Sequence, residues 1–216
     1  MSFSMARRFG YTDLVIEHFR NPRNIGEMED ADVTAKVGSV ACGDLIKLYL
    51  KIDDDTKKIE DISFESYGCA ANIATSSMMT ELVKGKTIEE ARTVTYKTIA
   101  EALGGLPKVK VHCSVLSRQS LDAAFMKWEA RKGLREVDER FVRRILRGVL
   151  DPIEGVDIIS AKMVEGIRVA DGKIEIQLSL EEGTELAKDM EEDIKDAFEG
   201  IPLALDVQHR KGTPTT

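Results

Sequence analysis

The sequence predicts an α+β protein of two domains, a three-stranded antiparallel sheet packed by helices (residues 1–132) followed by a second small α+β domain (133–216). The first observation behind this prediction is strand-like alternation in three neighbouring segments of the N-terminal part. The second is an abrupt change of charge. The net charge is -2 over residues 1–130, +4 over 131–147 and -9 over 148–216. A polar, Gly-containing connection between two domains explains the basic stretch in the middle.

The N-terminal part is expected to begin with a helix from Tyr11 to Phe19, which Pro22 ends because proline stops helices. Apolar and polar residues then alternate in three segments joined by short links. Such a pattern is typical of an antiparallel meander with one face towards the core. The predicted strands are 32–40, 44–52 and 58–67.

Helices are predicted to follow the three strands. Small residues dominate the segment from Ala70 to Val83, and Thr87 is placed as the N-cap of the next helix. A long amphipathic helix is predicted from Ser114 to Lys132, directly after a Gly-Pro loop. In the second domain the patterns predict helices at 139–147 and 184–198 and strands at 156–163, 165–169, 173–180 and 203–209.

Composition excludes several classes of function. No run approaches the roughly 18 to 20 apolar residues of a membrane span, and the N-terminus has no apolar core of a secretory signal. A formal net charge of -7 argues against nucleic acid as a partner, because counterion release requires surplus cations. Three cysteines cannot all pair within one chain, so we expect a cytoplasmic protein with reduced thiols.

The three cysteines lie in unlike settings that the predicted fold brings together. Cys42 lies in the loop before the second strand, Cys69 at the junction of the third strand with a helix, and Cys113 at a helix start. The intervals of 26 and 43 residues are not those of a zinc finger, so spacing alone says little. In an antiparallel meander, however, that loop and the end of the third strand share one edge. A helix N-terminus also lowers the pKa of a thiol, which predicts reactive thiolates at Cys69 and Cys113.

Two neighbouring residues could complete a four-ligand set with the three thiolates, the Asp44 carboxylate or the His112 imidazole. Such a set suits zinc or an iron–sulfur cluster. Gly43 and Gly68 would let the backbone approach a metal or sulfide closely. The competing interpretation is that each cysteine is only a small buried hydrophobe.

The motifs around these residues resemble those of the U-type iron–sulfur cluster assembly scaffolds, IscU and the N-terminal domain of NifU. The resemblance includes the opening helix with its Asn-Pro-Arg-Asn turn, a helix end and the surroundings of all three cysteines in order. The matching segments are Tyr11–Gly26, Ala41–Leu48, Tyr67–Ala74, Met79–Lys86 and Leu106–Leu116.

This resemblance implies a carrier rather than an enzyme. A cysteine desulfurase would supply persulfide sulfur, iron and ferredoxin-like electron donors would contribute the rest, and a 2Fe–2S cluster would pass to apo-proteins. Cys42, Cys69 and Cys113 would be its ligands, with Asp44 or His112 as the exchangeable fourth. Cys113 would be the persulfide acceptor, and Asp44 would keep the cluster labile. Zinc could occupy the same ligands, and a homodimer is an open expectation.

Two features depart from the family patterns. The segment that recruits an Hsp70-type chaperone in the family reads Leu-Pro-Pro-Val-Lys, and Lys108 here replaces its second proline, which puts that partner in doubt. The second domain resembles the PaaD-like iron–sulfur maturation proteins over 142–159, but no cysteine stands in 181–186, where that family has one. We therefore expect a docking, dimerising or target-selecting domain that binds no cluster through thiolates.

Two other functions are kept as alternatives. The first is a zinc-dependent sulfurtransferase, in which Cys42, Asp44, Cys69 and Cys113 hold zinc and one thiolate exchanges to accept desulfurase sulfur. The second is a purely structural zinc domain without sulfur transfer. His112 directly before Cys113 favours the scaffold, because the zinc-dependent branch of the family generally lacks that histidine.

Overall fold

The computed structural model describes residues 10–39 and 43–210, apart from the side chain of Ser39. One compact unit ends at Phe125 and a second begins at Met126, so the division falls inside one helix. The domain boundary at residue 132 stays a prediction. Within the described ranges, none of the helices combines the length and the apolar character that a bilayer crossing requires.

The first unit contains an antiparallel sheet in the order β1-β2-β3, with helices before and after it. This confirms the fold class predicted for the N-terminal part. The strands are β1 (Val33–Ser39), β2 (Asp44–Ile52) and β3 (Ile59–Tyr67). The helices are α1 (Asp13–Arg20), α2 (Ala70–Val83), α3 (Ile88–Arg92), α4 (Tyr96–Ala102) and α5 (Val111–Arg131), the last preceded by a 3₁₀ turn at Lys108–Lys110.

The register of the sheet determines which residues meet at its edge. Leu45 of β2 lies opposite Tyr67, the last residue of β3. Asp44 therefore stands beside the chain segment that leaves β3, as the meander predicts. Alternate side chains of β2, such as Ile46 and Leu48, are fully buried, so a one-residue slip would turn this apolar face to solvent. The packing of the core thus fixes the position of Asp44.

Small hydroxyl side chains join α2 to α5. The Ser117 hydroxyl of α5 lies 2.9 Å from the Thr75 hydroxyl of α2 and 3.3 Å from the Ser76 hydroxyl. All three residues are buried, and each hydroxyl has a partner, so their burial leaves no unsatisfied group. These side-chain contacts hold the N-terminal part of α5 against α2.

The second unit is a small α+β domain with a mixed sheet in the order β4-β5-β6, in which β5 and β6 are parallel. Its apolar side chains, including Ile176 and Ile194, form a core of their own. The strands are β4 (Val164–Ala170), β5 (Lys173–Glu181) and β6 (Ala204–Arg210), and the helices are α6 (Glu139–Leu146) and α7 (Glu185–Ala197).

One predicted strand of this domain is wrong. Residues 156–163 form turns rather than a strand, and the first regular strand starts at Val164. The reason is local hydrogen bonding by Asp157, whose side chain accepts the backbone N–H of Ile159 at 3.1 Å and that of Ser160 at 2.9 Å. An aspartate that bonds to the backbone two and three residues ahead stabilises a turn against an extended ladder.

Candidate metal centre

Three predicted site residues meet at the edge of the first sheet. One ligand atom each from Asp44, Cys69 and Cys113 lies within 4.8 Å of the other two. They come from the start of β2, the residue before α2 and the first turn of α5, respectively. Cys42, the remaining predicted thiolate ligand, lies outside the described residues. Positions far apart in sequence thus form one side-chain cluster, as the topology predicts.

Cys69 is held by its backbone as well as by its neighbours. It is the N-cap of α2 with extended dihedral angles, φ -77° and ψ 163°. Its N–H donates to the Asp44 carboxylate (Oδ1) at 2.8 Å, and its Sγ lies 3.7 Å from the other carboxylate oxygen. The carboxylate therefore bonds to both the backbone and the side chain of Cys69, which fixes the strand-to-helix junction against the start of β2.

Gly68 makes this close approach sterically feasible. A Cβ atom at this position would overlap with Asp44 Oδ1 and would lie 2.8 Å from Asp44 Cγ. Asn72 Nδ2 would lie 3.1 Å away on another side. Any other residue would force the carboxylate, the junction or both to move. The close approach at Gly68 is to the Asp44 carboxylate, and the expected approach of the backbone to a metal or sulfide stays a prediction.

Cys113 occupies the deepest position of the cluster. Its relative exposure is 0%. Its Sγ is 3.6 Å from Cys69 Sγ and 3.6 Å from Asp44 Oδ2. The Ser117 hydroxyl donates to the backbone carbonyl of Cys113 at 3.1 Å, and this links the cysteine to the hydroxyl contacts between α2 and α5.

The two thiols do not ionise alike. The hydrogen bond from the Cys113 thiol lowers the pKa of Cys69 to about 6. Burial opposes this shift, and the hydrogen bond from the Asn72 backbone N–H adds to it. The same hydrogen bond with Cys69, then burial and the negative charges of Cys69 and Asp44, raise the pKa of Cys113. The prediction of lowered pKa values is therefore right for Cys69 and wrong for Cys113. The hydrogen bond with Cys69, together with burial and the neighbouring anions, outweighs the helix N-terminus at Cys113.

Two further residues near the thiols were missed as site residues by reasoning from the sequence. Burial, and next the charge of Cys69, raise the pKa of Tyr11. Burial lowers the pKa of Lys110, but the charges of Cys69 and Tyr11 raise it more, so the ammonium form is favoured. A lysine three residues before a cysteine at a helix start is the sequence signal that could have indicated a cation beside the thiolate.

His112 stands apart from the three-residue group. Its side chain is exposed on the first turn of α5, directly before the buried Cys113. Among the described residues, the compact group of potential ligands consists of Asp44, Cys69 and Cys113 without the histidine. Its role as an exchangeable ligand stays a prediction.

The donor set fits a thiophilic metal. Thiolates select zinc, iron or an iron–sulfur cluster, whereas magnesium and calcium require mainly oxygen ligands. Cys69 and Cys113 supply two sulfur donors, and Asp44 adds one harder oxygen that iron and zinc also accept. Asp44 and Cys113 are buried, so little water competes for a bound ion.

The thiol and carboxylate cluster at one edge of a small α+β sheet is a candidate metal site of the kind found in cysteine-containing metal-binding proteins. The family model described as NifU-like N-terminal domain matches residues 10–135, and the chain belongs to this family. A second model, described as iron–sulfur cluster assembly protein, matches residues 139–208. Both resemblances expected from the sequence are therefore confirmed.

Three similar curated proteins are described as iron–sulfur cluster assembly scaffold proteins. The iron–sulfur cluster assembly scaffold protein IscU 1 of Archaeoglobus fulgidus is 54% identical over 123 residues, which cover 57% of this chain and 79% of the relative. The scaffold protein IscU of Aquifex aeolicus is 44% identical, covering 58% and 80% respectively. The scaffold protein IscU of Azotobacter vinelandii is 47% identical, covering 57% and 98%.

Proposed function

We propose that this chain is a scaffold on which an iron–sulfur cluster is assembled and from which the cluster passes to apo-proteins. The carrying observation is the cluster of Asp44, Cys69 and Cys113 at one sheet edge of a NifU-like domain. The names of its relatives, which are scaffold proteins, agree with a carrier that is not itself a turnover enzyme.

In this proposal the cluster is cargo, and its type is 2Fe–2S. Cys42, Cys69 and Cys113 are its thiolate ligands, with Asp44 or His112 as the exchangeable fourth. Zinc can occupy the same donors when iron and sulfide are absent. Asp44 suits the exchangeable position because its carboxylate is already held within 3.7 Å of both thiols and is a harder ligand than either.

The partners follow from the chemistry. Sulfur arrives as a persulfide from a cysteine desulfurase and comes to rest on Cys113, while iron and electrons come from separate donors. The second unit carries the family pattern of an iron–sulfur assembly protein but contains no cysteine. It therefore acts in docking, in dimerisation or in selecting the apo-protein, and not as a thiolate ligand.

Anaerobic reconstitution tests the proposed function. The full chain is incubated with cysteine, a cysteine desulfurase and ferrous iron, and the product is then mixed with an apo-ferredoxin. We expect visible charge-transfer absorption that develops on this chain and moves to the ferredoxin. A colourless product that only stimulates cysteine turnover would contradict the scaffold and favour a sulfurtransferase.

Replacing Asp44 is expected to prolong the life of the assembled cluster. In Asp44→Ala the site loses its oxygen ligand and the carboxylate that can return a proton to a departing thiolate. A hydrogen bond to a charged group is worth ~1.5–3 kcal/mol, so we expect cluster loss to slow by about tenfold. The measurement is the decay of the visible bands in a chelator solution.

A matched control is Asp61→Ala, which removes a partly exposed carboxylate of β3 that pairs with Lys84 at 2.6 Å. This variant is expected to lose its cluster at the wild-type rate. Decay in Asp44→Ala that is as fast as or faster than in the wild type would refute the assigned role of Asp44.

A further inference from the structure

The two thiols of the site differ in access to solvent. Cys113 is 0% exposed, whereas Cys69 is partly exposed. The residues before Cys69 are open as well, since Gly68 is exposed and Tyr67 is 71% exposed. An incoming persulfide therefore meets the Cys69 side of the pair first. Of the two cysteines that the structure describes, the one assigned to hold the sulfur is buried and the other is the one that a donor can reach.

We propose that sulfane sulfur enters this site on Cys69 and is relayed from there to the buried Cys113. This inference rests on the proposed scaffold function and adds a second group-transfer residue to it. Cys69 touches the sulfur donor, and Cys113 receives the sulfur in a second step inside the same protein. The relay explains how a fully buried thiol can serve as the resting place of donor sulfur.

Each step balances as a transfer of one neutral sulfur atom. In the first step the Cys69 thiolate attacks the terminal sulfur of a donor persulfide, whose S–S bond breaks, and the donor leaves as a thiolate. In the second step the Cys113 sulfur attacks the terminal sulfur of the Cys69 persulfide, and the S–S bond on Cys69 breaks. The Cys113 proton passes to the released Cys69 thiolate. No external oxidant or reductant is consumed.

The two thiols are direct neighbours, as the second step requires. Cys69 Sγ and Cys113 Sγ are 3.6 Å apart. A sulfane sulfur on Cys69 would lie one S–S bond, about 2.05 Å, from the Cys69 Sγ. In an in-line attack the sulfane sulfur lies between the two Sγ atoms, which must then be at least about 4.1 Å apart, the length of two S–S bonds. The second step therefore requires the half-exposed Cys69 side chain to rotate away from Cys113 before the sulfur is transferred.

Asp44 is placed to carry the proton of this step. Its Oδ2 lies 3.6 Å from Cys113 Sγ and 3.7 Å from Cys69 Sγ, so one carboxylate oxygen contacts both sulfurs. It can accept the Cys113 proton as that sulfur attacks and return it to Cys69. The N-cap position of Cys69 favours the departing thiolate, because the helix N-terminus stabilises negative charge there.

The relay is tested by following which cysteine carries sulfane sulfur. The iron-free full chain is mixed with glutathione persulfide, quenched with an alkylating agent at increasing times, digested and analysed by mass spectrometry. In the wild type we expect the Cys69 peptide to be labelled before the Cys113 peptide. In Cys69→Ser we expect loading of Cys113 to slow by about tenfold or more, since the buried thiol must then wait for the site to open.

Two further chains serve as controls. Cys113→Ser should still load Cys69 and then keep the sulfur there. A parallel series in a Cys42→Ser background should show the same order of labelling, because the third cysteine is not needed for the relay. Repeating the wild-type series with a cysteine desulfurase and cysteine, in place of glutathione persulfide, tests the same order with an enzymatic donor.

The relay is overturned if Cys113 is labelled before Cys69 in the wild type, or if Cys69→Ser loads Cys113 at the wild-type rate. Labelling of Cys42 before Cys113 in Cys69→Ser, without a loss of rate, overturns it too. The time course of the wild type remains decisive if the Cys69→Ser chain does not fold. Failure of the wild type to build a transferable cluster would instead contradict the proposed function, so the two failures are distinguishable.

Discussion

Gly68→Ala is expected to lower the affinity of the site for zinc by about 10- to 100-fold, the usual cost of disturbing a group that orients a metal ligand. The added methyl group would overlap with Asp44 Oδ1 and would lie 2.8 Å from Asp44 Cγ, so the buried carboxylate must leave its position. Its 2.8 Å hydrogen bond from the Cys69 N–H would then be lost, and the N-cap of α2 would shift with it. One methyl group therefore displaces the oxygen donor and a sulfur donor together.

The measurement is a competition titration of the apo-protein with zinc and a chromophoric chelator, followed by the yield of cluster absorption under anaerobic reconstitution. Gly166→Ala is the matched control. That glycine lies in β4, and a Cβ there would meet only Gln177, at 3.7 Å or more, which is ordinary contact. We expect the control to bind zinc as the wild type does, with unchanged far-ultraviolet circular dichroism in both variants. Wild-type zinc affinity in Gly68→Ala would show that Asp44 is not part of the metal site.

The position of this site could be predicted from the sequence because it depends on short-range patterns. Alternation defines the three strands, and an antiparallel meander necessarily brings the start of β2 and the end of β3 to one edge. Asp44 and Cys69 follow from that rule. The rule applies to local order along the chain and needs no knowledge of side-chain packing.

The environment of Cys113 could not be predicted in the same way. A cysteine in the first turn of a helix suggests a reactive thiolate, yet the hydrogen bond with Cys69, burial and the anions beside it raise the pKa of this thiol. The burial of Cys113 depends on the contact of α5 with α2, which is made by Ser117 of α5 with Thr75 and Ser76 of α2. Thr75 and Ser76 are distant from Cys113 in the sequence, and Ser117 lies one helical turn after it. Such packing leaves no periodic signal in the sequence.

The same limit applies to the second unit. Its helices and most of its strands follow from periodicity, but the turn at Asp157 competes with an apolar pattern, and side-chain hydrogen bonds decide the outcome. In the parallel pairing of β5 with β6, Ile176 lies opposite Val207, although a helix separates the two strands in the sequence. Alternation alone does not specify such a pairing. Long-range pairing is thus the part of this fold that the sequence pattern leaves open.

Lys127→Met is expected to stabilise the second unit by about 1–3 kcal/mol at pH 7, because the wild-type lysine is 4% exposed in α5. Burial lowers the pKa of Lys127 from 10.5 to about 8. The negative charges of Glu199 and Asp196 oppose this shift, and the positive charge of Arg131 adds to it. One pKa unit corresponds to about 1.4 kcal/mol, so keeping the ammonium charged in the folded chain costs about 3 kcal/mol. Methionine keeps a long unbranched side chain without the charge.

The sign of the pH dependence follows from the lowered pKa. Below pH 8 the lysine is charged in both the folded and the unfolded chain, and the full cost is present. Between about pH 8 and 10.5 the unfolded chain binds the proton more strongly, so the stability of the wild type rises with pH. The advantage of Lys127→Met is therefore largest at pH 7 and should disappear near pH 10.5. Urea unfolding followed by the fluorescence of the buried Trp128, the only tryptophan of the chain, measures it directly.

Lys195→Met is the matched control for this prediction. Lys195 is a lysine of α7 whose side chain is 62% exposed and pairs with Glu191 at 2.7 Å, four residues earlier. Loss of an exposed pair of this kind changes the free energy of unfolding by only about 0.5 kcal/mol. We expect this difference to lack the strong pH dependence of Lys127→Met between pH 8 and 10.5. A Lys127→Met chain that is less stable than the wild type at pH 7, or whose difference is constant up to pH 10.5, would contradict a buried charge. The exposed carboxylates of Asp196 and Glu199 would then compensate the charge of Lys127 in full, and its ammonium group would not destabilise the second unit.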